Sequence, residues 1–406
     1  MAKKEALVEI GKTGIVWSYG YVYDDFLTWL QGGRGIKIYR EMSDNDSIIG
    51  ACLFAIKQIL REARWDVRPG DPEDAACKKD AKFLSDNIEQ LTHSWSNFIV
   101  NVLSMLTYGW SYFEQVFRRA DDGSIMWEKL APRKQSSMEK WEIDDVGEVL
   151  GMWQRPAPSY NVCYLPLSKC LLFRTESAGN NPEGRSVLRN AYRAWYFKKN
   201  LEEIEGIGVE RDLAGLPMLT PPEGFQLEGN DPDSQAAIAW AKKMISSLRR
   251  DEQDGIIVPR GWDFALVSSP GKRQFDTTEI INRYNKEIAV TVLAQFIMLG
   301  MERTGSYALA KEQTDMFYLC LEGWIDSIAS TFNRHAVPTL FGLNRITGKM
   351  RPLPYMVHTN VRRFSLRDLA YYVNSLAGCE GLVMDEDIQK YLKNFARLSE
   401  FSEIKR

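Results

Sequence analysis

Few side chains in this sequence could do chemistry, and their spacing argues against catalysis. Three histidines occur, His93, His335 and His358. None stands at the HExxH or HxH spacing that would put two imidazoles on one metal ion, so each reads as a cap, core or surface residue. Two carboxylate groups, Glu142-Asp144-Asp145 and Asp385-Glu386-Asp387, could in principle hold a divalent cation. The first lies in and beside a hairpin turn and the second at a helix start, where turn geometry and the helix dipole already favour acidic residues. The P-loop pattern GxxxxGK[ST] and the nucleophile elbow GxSxG are both missing, which removes ATP-driven and serine-hydrolase chemistry. Gly32-Gly33-Arg34-Gly35 superficially suggests a phosphate cradle, but no strand precedes it and no helical period follows, so it reads as a flexible turn. No cofactor and no metal are expected, and the chain is not expected to be an enzyme.

Basic residues cluster at Lys242-Lys243, Arg249-Arg250, Lys272-Arg273 and Arg362-Arg363 with Arg367. A solvated helix face and a docking patch both fit the first two pairs. Arg303 lies in the polar break Met301-Glu302-Arg303-Thr304-Gly305-Ser306-Tyr307 between two long apolar patterns. Such a break is either a helix-helix turn or, if the helices line a channel, its most inward-reaching loop. Net charge is -3 over 406 residues, so no global attraction to nucleic acid or anionic membrane is expected. The six cysteines have no CxxC spacing and read as reduced. The first residues lack the apolar stretch of a signal peptide, and no apolar run approaches the ~20 residues that span a bilayer. A soluble cytosolic product without membrane contact is the expectation.

These groups must be positioned by more than one structural unit, since 406 residues exceed what a single core usually serves. Residues 1–42 keep no period and read as an extended arm. Ser43-Asp44-Asn45-Asp46 offers N-caps for a helix through Ile49, Cys52, Leu53, Ile56 and Leu60. Two more helices follow, the second marked continuously from Trp95 to Leu106. The period then changes to strand: Tyr112–Phe117 and Ile125–Leu130 flank Asp121-Asp122-Gly123, and Lys140–Gln154 turns at Asp144–Gly147. Residues 43–180 thus read as an α+β unit. A long helical pattern opens at Asn181-Pro182-Glu183-Gly184 and carries Val187, Leu188, Ala191, Tyr192, Trp195 and Tyr196. Its partner begins at Asp276 and reaches Leu299. Between them lies a small segment: Met218-Leu219, a helix capped by Asp231, and strand-like Gly255–Pro259 and Phe264–Val267. A third long helix starts near Tyr307. A strand-like piece at Pro352–Pro354 and helices capped at Ser365 and Asp385 end the chain. A helix pair carrying a small module at its far end suggests a conduit or lever.

Several pieces in this order make the sequence resemble tailed-bacteriophage portal proteins of the Mu-like family. They are Asp44–Cys52 leading into Trp65-Asp66-Val67, Leu106–Glu114, Leu130–Arg133, Asn181–Ser186, Glu210–Pro217 and Thr304–Ala308. The resemblance implies an α+β portal-like fold with an α/β wing, two long stem helices, a small α/β clip insertion and a tunnel loop. Carried onto this chain, 1–42 is an N-terminal arm, 43–184 and 308–364 the wing, 185–214 and 276–299 the stem, 215–275 the clip, 300–307 the tunnel loop and 365–406 the C-terminal helices. It implies a ring, typically a dodecamer, at the capsid vertex of the virion, assembled in the host cytoplasm and surrounding double-stranded DNA. Arg303, Thr304 and Ser306 would face that DNA. Lys242, Lys243, Arg249 and Arg250 would meet partners, among them the terminase large subunit and neck or adaptor proteins, with major capsid and scaffolding proteins nearby. Trp195, Tyr196 and Trp324 could serve either a subunit interface or the core of one chain. Two alternatives stand beside this reading: a virion adaptor or connector without a DNA channel, and a metal-dependent nuclease using Glu142, Asp144 or Asp145.

Overall fold

The computed structural model describes residues 11–214, 216–225, 232–247, 257–267, 276–292, 307–346, 348, 351–359 and 361. The chain opens with a tight hairpin, β1 (Trp17–Ser18) against β2 (Tyr21–Val22). Tyr19 and Gly20 close it, both at positive φ. Helix α1 (Gly32–Asn45) then replaces the turn expected at the glycines. Its buried residues Gly35, Ile36, Tyr39 and Met42 do keep a helical period, which the glycines mask. Gln31 supplies no side-chain cap. Instead the distant Glu183 carboxylate accepts the Gly32 N–H at 3.0 Å, a trans cap that local sequence cannot announce.

Helix α2 (Ser47–Arg61) begins as expected, with the Asp46 carboxylate accepting the Ile48 and Ile49 N–H groups at 3.0 Å each. Strand β3 (Trp65–Arg68) and α3 (Ala75–Glu89), capped by Asp74, follow. The single helix expected from Trp95 to Leu106 is two: α4 (Trp95–Val102) and α5 (Ser104–Tyr108), the second ending at Gly109 with φ +91°. Strands β4 (Trp110–Arg119) and β5 (Ile125–Arg133) form the expected hairpin. Next come β6 (Met138–Ile143), β7 (Val149–Gln154), β8 (Cys163–Pro166) and β9 (Cys170–Arg174). They make two antiparallel three-stranded sheets, β5-β4-β9 and β6-β7-β8.

The first long helix, α6 (Tyr192–Ala214), starts later than its pattern suggests, because 187–191 run as turns. Beyond it lie β10 (Leu216–Thr220), α7 (Pro232–Ser247) and β11 (Asp263–Val267), with β10 and β11 forming a separate two-stranded sheet. Residues 257–259, expected as strand, are irregular. Helix α8 (Thr277–Thr291) is capped by Asp276, as its sequence suggests. Helix α9 (Tyr307–Thr331) passes through a single π turn, Phe332–Ala336, into α10 (Val337–Leu343). Strand β12 (Tyr355–His358) pairs antiparallel with β3 and returns the chain to the first helices; it begins just after the prolines expected to form it. The helices expected after Ser365 and Asp385 lie outside the described residues.

One core gathers Ile49, Leu53 and Ile56 of α2, Phe98 and Ile99 of α4, Leu188, Trp195, Ile288 and Val292 at the roots of α6 and α8, and Leu321, Ile325 and Leu340. A second cluster sits between the two sheets around Trp110, Tyr112, Trp141, Met152 and Leu165. Strand β4 serves both: Tyr112 joins the second cluster while Phe113 joins the first, as strand alternation demands. Trp110 and Trp141 meet edge to face at 4.9 Å, an arrangement the ring quadrupoles favour.

Candidate functional site

The helix pair α6–α8 is the element most suited to a mechanical role, so its root decides what it can do. Two of the sequence stretches singled out above lock together there. Gly109 and Gly184 lie back to back at φ +91° and +56°. A Cβ on Gly109 would sit 2.2 Å from the Glu183 carbonyl oxygen, and one on Gly184 would sit 2.3 Å from that of Gly109. Only glycine tolerates both the conformation and the approach. Around them Thr175 N–H donates to Gly109 O at 3.0 Å, Ser186 Oγ donates to Thr107 O at 2.5 Å and Val187 N–H donates to Leu106 O at 3.0 Å. The end of β9, the α5–β4 turn and the segment leading into α6 are thus one hydrogen-bonded junction.

Charge pairs fasten the helix to the body above this junction. Lys198 Nζ lies 2.9 Å from Asp46 Oδ2, with side chains 3% and 4% exposed. Asp46 Oδ1 is the oxygen that caps α2, so a single carboxylate joins two helices. Just before α6 begins, the Arg189 guanidinium grips both oxygens of Asp25, with Nη2 at 2.6 Å. Burial pushes the Asp25 carboxyl upward, but Arg189 and the Leu27 N–H outweigh it and hold it below its ordinary value. Lys199 reaches Glu41 at 2.6 Å. Farther out, the Thr277 hydroxyl donates to Glu205 and ties α8 to α6, and Phe197 stacks on Tyr284 at 6.4 Å. The carboxyl of Glu183 is raised by burial, against the donors Gly32 N–H and Trp141 Nε1.

The outer side of α6 carries a second apolar stripe. Tyr196, Ile204 and Ile207 follow helical spacing on the face turned from the core. Ile204 is 65% and Ile207 50% exposed, and Tyr196 and Phe197 are exposed too. Of the aromatic residues left open by sequence, Trp195 is buried in the core, Tyr196 belongs to the exposed stripe, and Trp324 is half-buried against the core.

At the far end Trp262 packs against Phe225 and Trp240, with ring centroids 5.3 and 6.0 Å away. Lys242 and Lys243 are exposed on α7. Arg249 and Arg250 lie outside the described residues, as do Arg303, Thr304 and Ser306 of the proposed loop. Two of the three candidate nuclease carboxylates, Asp144 and Glu142, are engaged otherwise. Asp144 Oδ1 accepts three turn N–H groups, from Val146, Gly147 and Glu148, and Glu142 accepts Trp153 Nε1–H at 2.6 Å. Among the described residues no three metal-binding side chains converge, and no helix is long and apolar enough to cross a membrane. His93 accepts the Leu130 N–H at 3.1 Å, and His358 meets Asp326 at 2.9 Å; both serve as structural links. Sequence reading missed Lys198. Its signal was spacing: it continues the buried Ala191, Ala194 and Trp195 on the inner face of α6.

The fold has counterparts among solved structures. A chain in the neck of an empty gene transfer agent particle, computed with C6 symmetry, matches with a TM-score of 0.56 at 11% identity, over 88% of this chain and 92% of that one. A chain in the neck of the native particle, computed with C12 symmetry, matches at 0.51 and 11%, over 88% and 93%. These likenesses concern the fold. The family model described as the portal protein of Mu bacteriophage matches residues 36–379, which takes in both sheets, the helix pair and its module. The chain therefore belongs to the Mu-type portal protein family, whose members are structural rather than enzymatic.

Proposed function

We propose that copies of this chain form a closed ring, a dodecamer, at the capsid vertex of a phage virion, through which double-stranded DNA passes during packaging and ejection. The observation that carries this reading is the second apolar stripe of α6. A helix already docked through Trp195 and Lys198 has no reason to present Tyr196, Ile204 and Ile207 to water unless another surface covers them. Copies related by rotation would do so in a head-to-tail contact that closes. The C12 symmetry of the similar neck particle supports the subunit number.

In this reading α6 and α8 form the stem, and the 215–275 module is the clip. Its Lys242, Lys243, Arg249 and Arg250 meet the terminase large subunit while the head fills and neck or adaptor proteins afterwards. The 300–307 loop, with Arg303, Thr304 and Ser306, faces the DNA. Major capsid and scaffolding proteins surround the ring as it assembles in the host cytoplasm. A net charge of -3 suits a conduit, because each phosphate neutralised would add grip and slow sliding. Native mass spectrometry and negative-stain imaging of the full-length protein test the ring: a particle with a central hole is expected. Monomers alone, at high concentration and with scaffolding protein present, would overturn it. In filled particles, packaged DNA should crosslink to residues 300–307, and Arg303→Ala should alter packaged length or yield while rings persist.

A further inference from the structure

The two-stranded sheet of β3 and β12 does not close completely against α3 and α4. A cleft of about 240 Å³ remains between them, where a single water occupies about 30 Å³. Its floor is apolar: Val67, Ile88, Ile99 and Met356 line it, the last two fully buried. Trp65 and Trp95 form a wall, edge to face at 5.7 Å. Both indole N–H groups are buried, and among the described residues neither has an acceptor. Buried donors are nearly always paired, yet two orphans share this one cleft. The rim is charged. Asp66 and Glu89 stand exposed on it, while the Arg61 guanidinium is turned to Ser96, with Nε 2.8 Å from Oγ.

The chain itself passes this cleft. After β12, whose His358 stands opposite Trp65, Thr359 N–H donates to Arg64 O at 2.9 Å and its hydroxyl accepts Arg64 N–H at 3.1 Å. Ala63 and Trp65, on either side of Arg64, both line the cleft. Val361, buried in the main core, is the last described residue. The sequence continues Arg362-Arg363-Phe364-Ser365-Leu366-Arg367-Asp368-Leu369. Three residues of extended chain reach about 10 Å, which brings Phe364 within range of the floor. With Ser365 as the cap expected from sequence, Phe364 and Leu369 hold the two positions of a hydrophobic staple, just before the cap and four residues into the helix. Three arginines flank that pair, opposite in sign to the rim.

We infer that the segment following Val361 straps this cleft in its own chain, seating Phe364 and Leu369 on the apolar floor with the arginines at the Asp66 and Glu89 rim. The occupant is the same chain because its point of departure borders the cleft and its charge complements the rim. A backbone laid along the wall brings carbonyl oxygens, the acceptors that the Trp65 and Trp95 donors lack. The strap would fasten the β3–β12 sheet to α3 and α4, far in sequence from the strand it follows. This inference does not depend on the ring reading.

Indole N–H resonances of the dissociated full-length chain test it, with Trp65→Phe and Trp95→Phe identifying the two signals. Phe364→Ala joined to Leu369→Ala should shift both signals and speed their exchange with solvent at least about tenfold. The Trp240 and Trp262 signals of the distant module should stay in place, and Phe364→Leu should behave as the wild type. Trp65 and Trp95 signals that ignore the double substitution overturn the inference, as does an equal shift of all four. Should the double variant fail to fold, benzoylphenylalanine at position 364 of the otherwise unchanged chain decides. Irradiating an equal mixture of isotope-labelled and unlabelled chains should link it to residues 61–67 or 85–99 within chains of one label. Links elsewhere, or between labels, overturn the strap. Both readouts use dissociated chains, so they leave the ring reading untouched.

Discussion

Replacing Lys198 with methionine keeps the length of the side chain and the helix propensity but deletes the ammonium that Asp46 meets at 2.9 Å. Breaking a buried pair from one side costs about 3–5 kcal/mol, because a charge is left without compensation. Asp46 retains the N–H groups of Ile48 and Ile49, which places the cost at the lower end, about 3 kcal/mol. With a factor of ten for each ~1.4 kcal/mol, local opening at the root of α6 should become roughly a hundredfold more frequent. Hydrogen exchange of the amides in 192–202 and 47–53 reads this directly, where a global melt of a chain this size would not. The reverse change, Asp46→Asn, keeps a capping side chain yet strands Lys198, whose remaining neighbour Glu202 is 3.8 Å away and half exposed. A similar loss is expected. Joining both substitutions should recover about 2 kcal/mol of the summed cost, since neither charge is then left alone. A Lys198→Met protein whose protection falls less than about threefold, or a double variant showing simple addition, would refute the claim that this pair fastens α6 to the body.

Three further outcomes follow from the same geometry. Gly109→Ala and Gly184→Ala should each lose at least about 2 kcal/mol in urea unfolding, because positive φ combines with a backbone collision. Gly123→Ala, at φ +84° with open space around it, should lose only about 1 kcal/mol; equal losses at all three would contradict the junction. Asp25 is held below its ordinary carboxyl value in the fold, so its stabilising share is complete above the unfolded value near pH 4 and is lost as pH falls through the lower folded one. Asp25→Asn should flatten the fall in stability on acidification below about pH 4, and an unchanged slope would count against the Arg189 pairing. Ile204→Asp with Ile207→Asp should leave the far-ultraviolet dichroism of the chain intact while abolishing higher-order species in native mass spectrometry; rings that survive would remove the stripe from the interface.

The parts of this fold that sequence announces are those specified locally. Asp46 and Asp276 cap the helices they precede, Asp121–Gly123 turns the hairpin, and β4 alternates between two cores. The parts it conceals depend on distant groups. Helix α1 begins at a glycine because Glu183 receives its first N–H from far along the chain. The break between α4 and α5 falls in an unbroken apolar pattern, with Leu103 buried at the joint. The helical period begins ahead of α6 because Leu188 and Ala191 are buried residues of a turn whose spacing imitates a helix. Of the candidate site, the existence of a helix pair and its module was legible in the apolar periods. Its anchor was not, since Lys198, Asp25 and Arg189 read as ordinary surface charges until their partners are known.

Helix α6 reverses the usual arrangement of a surface helix, and that reversal is itself the strongest argument about its setting. Such a helix ordinarily points apolar residues inward and charges outward. Here an ammonium is sealed beneath the helix at Lys198, while Tyr196, Ile204 and Ile207 face out. Neither feature improves the stability of a solitary chain: the buried pair is costly to desolvate, and the outer stripe invites association. Both become useful when the helix is a wall element between two neighbours. The ion pair fixes the angle at which α6 leaves the body, because a carboxylate that caps α2 and pairs with Lys198 can satisfy both demands in only one placement. The stripe then presents the same apolar edge at the same angle in every copy, the requirement for a ring that closes instead of growing as a helix. On this argument Lys198→Met should perturb the geometry of closure as well as local protection. The expected signature is a broader distribution of subunit numbers in native mass spectra, and a distribution as narrow as the wild type's would separate the anchor from the choice of ring size.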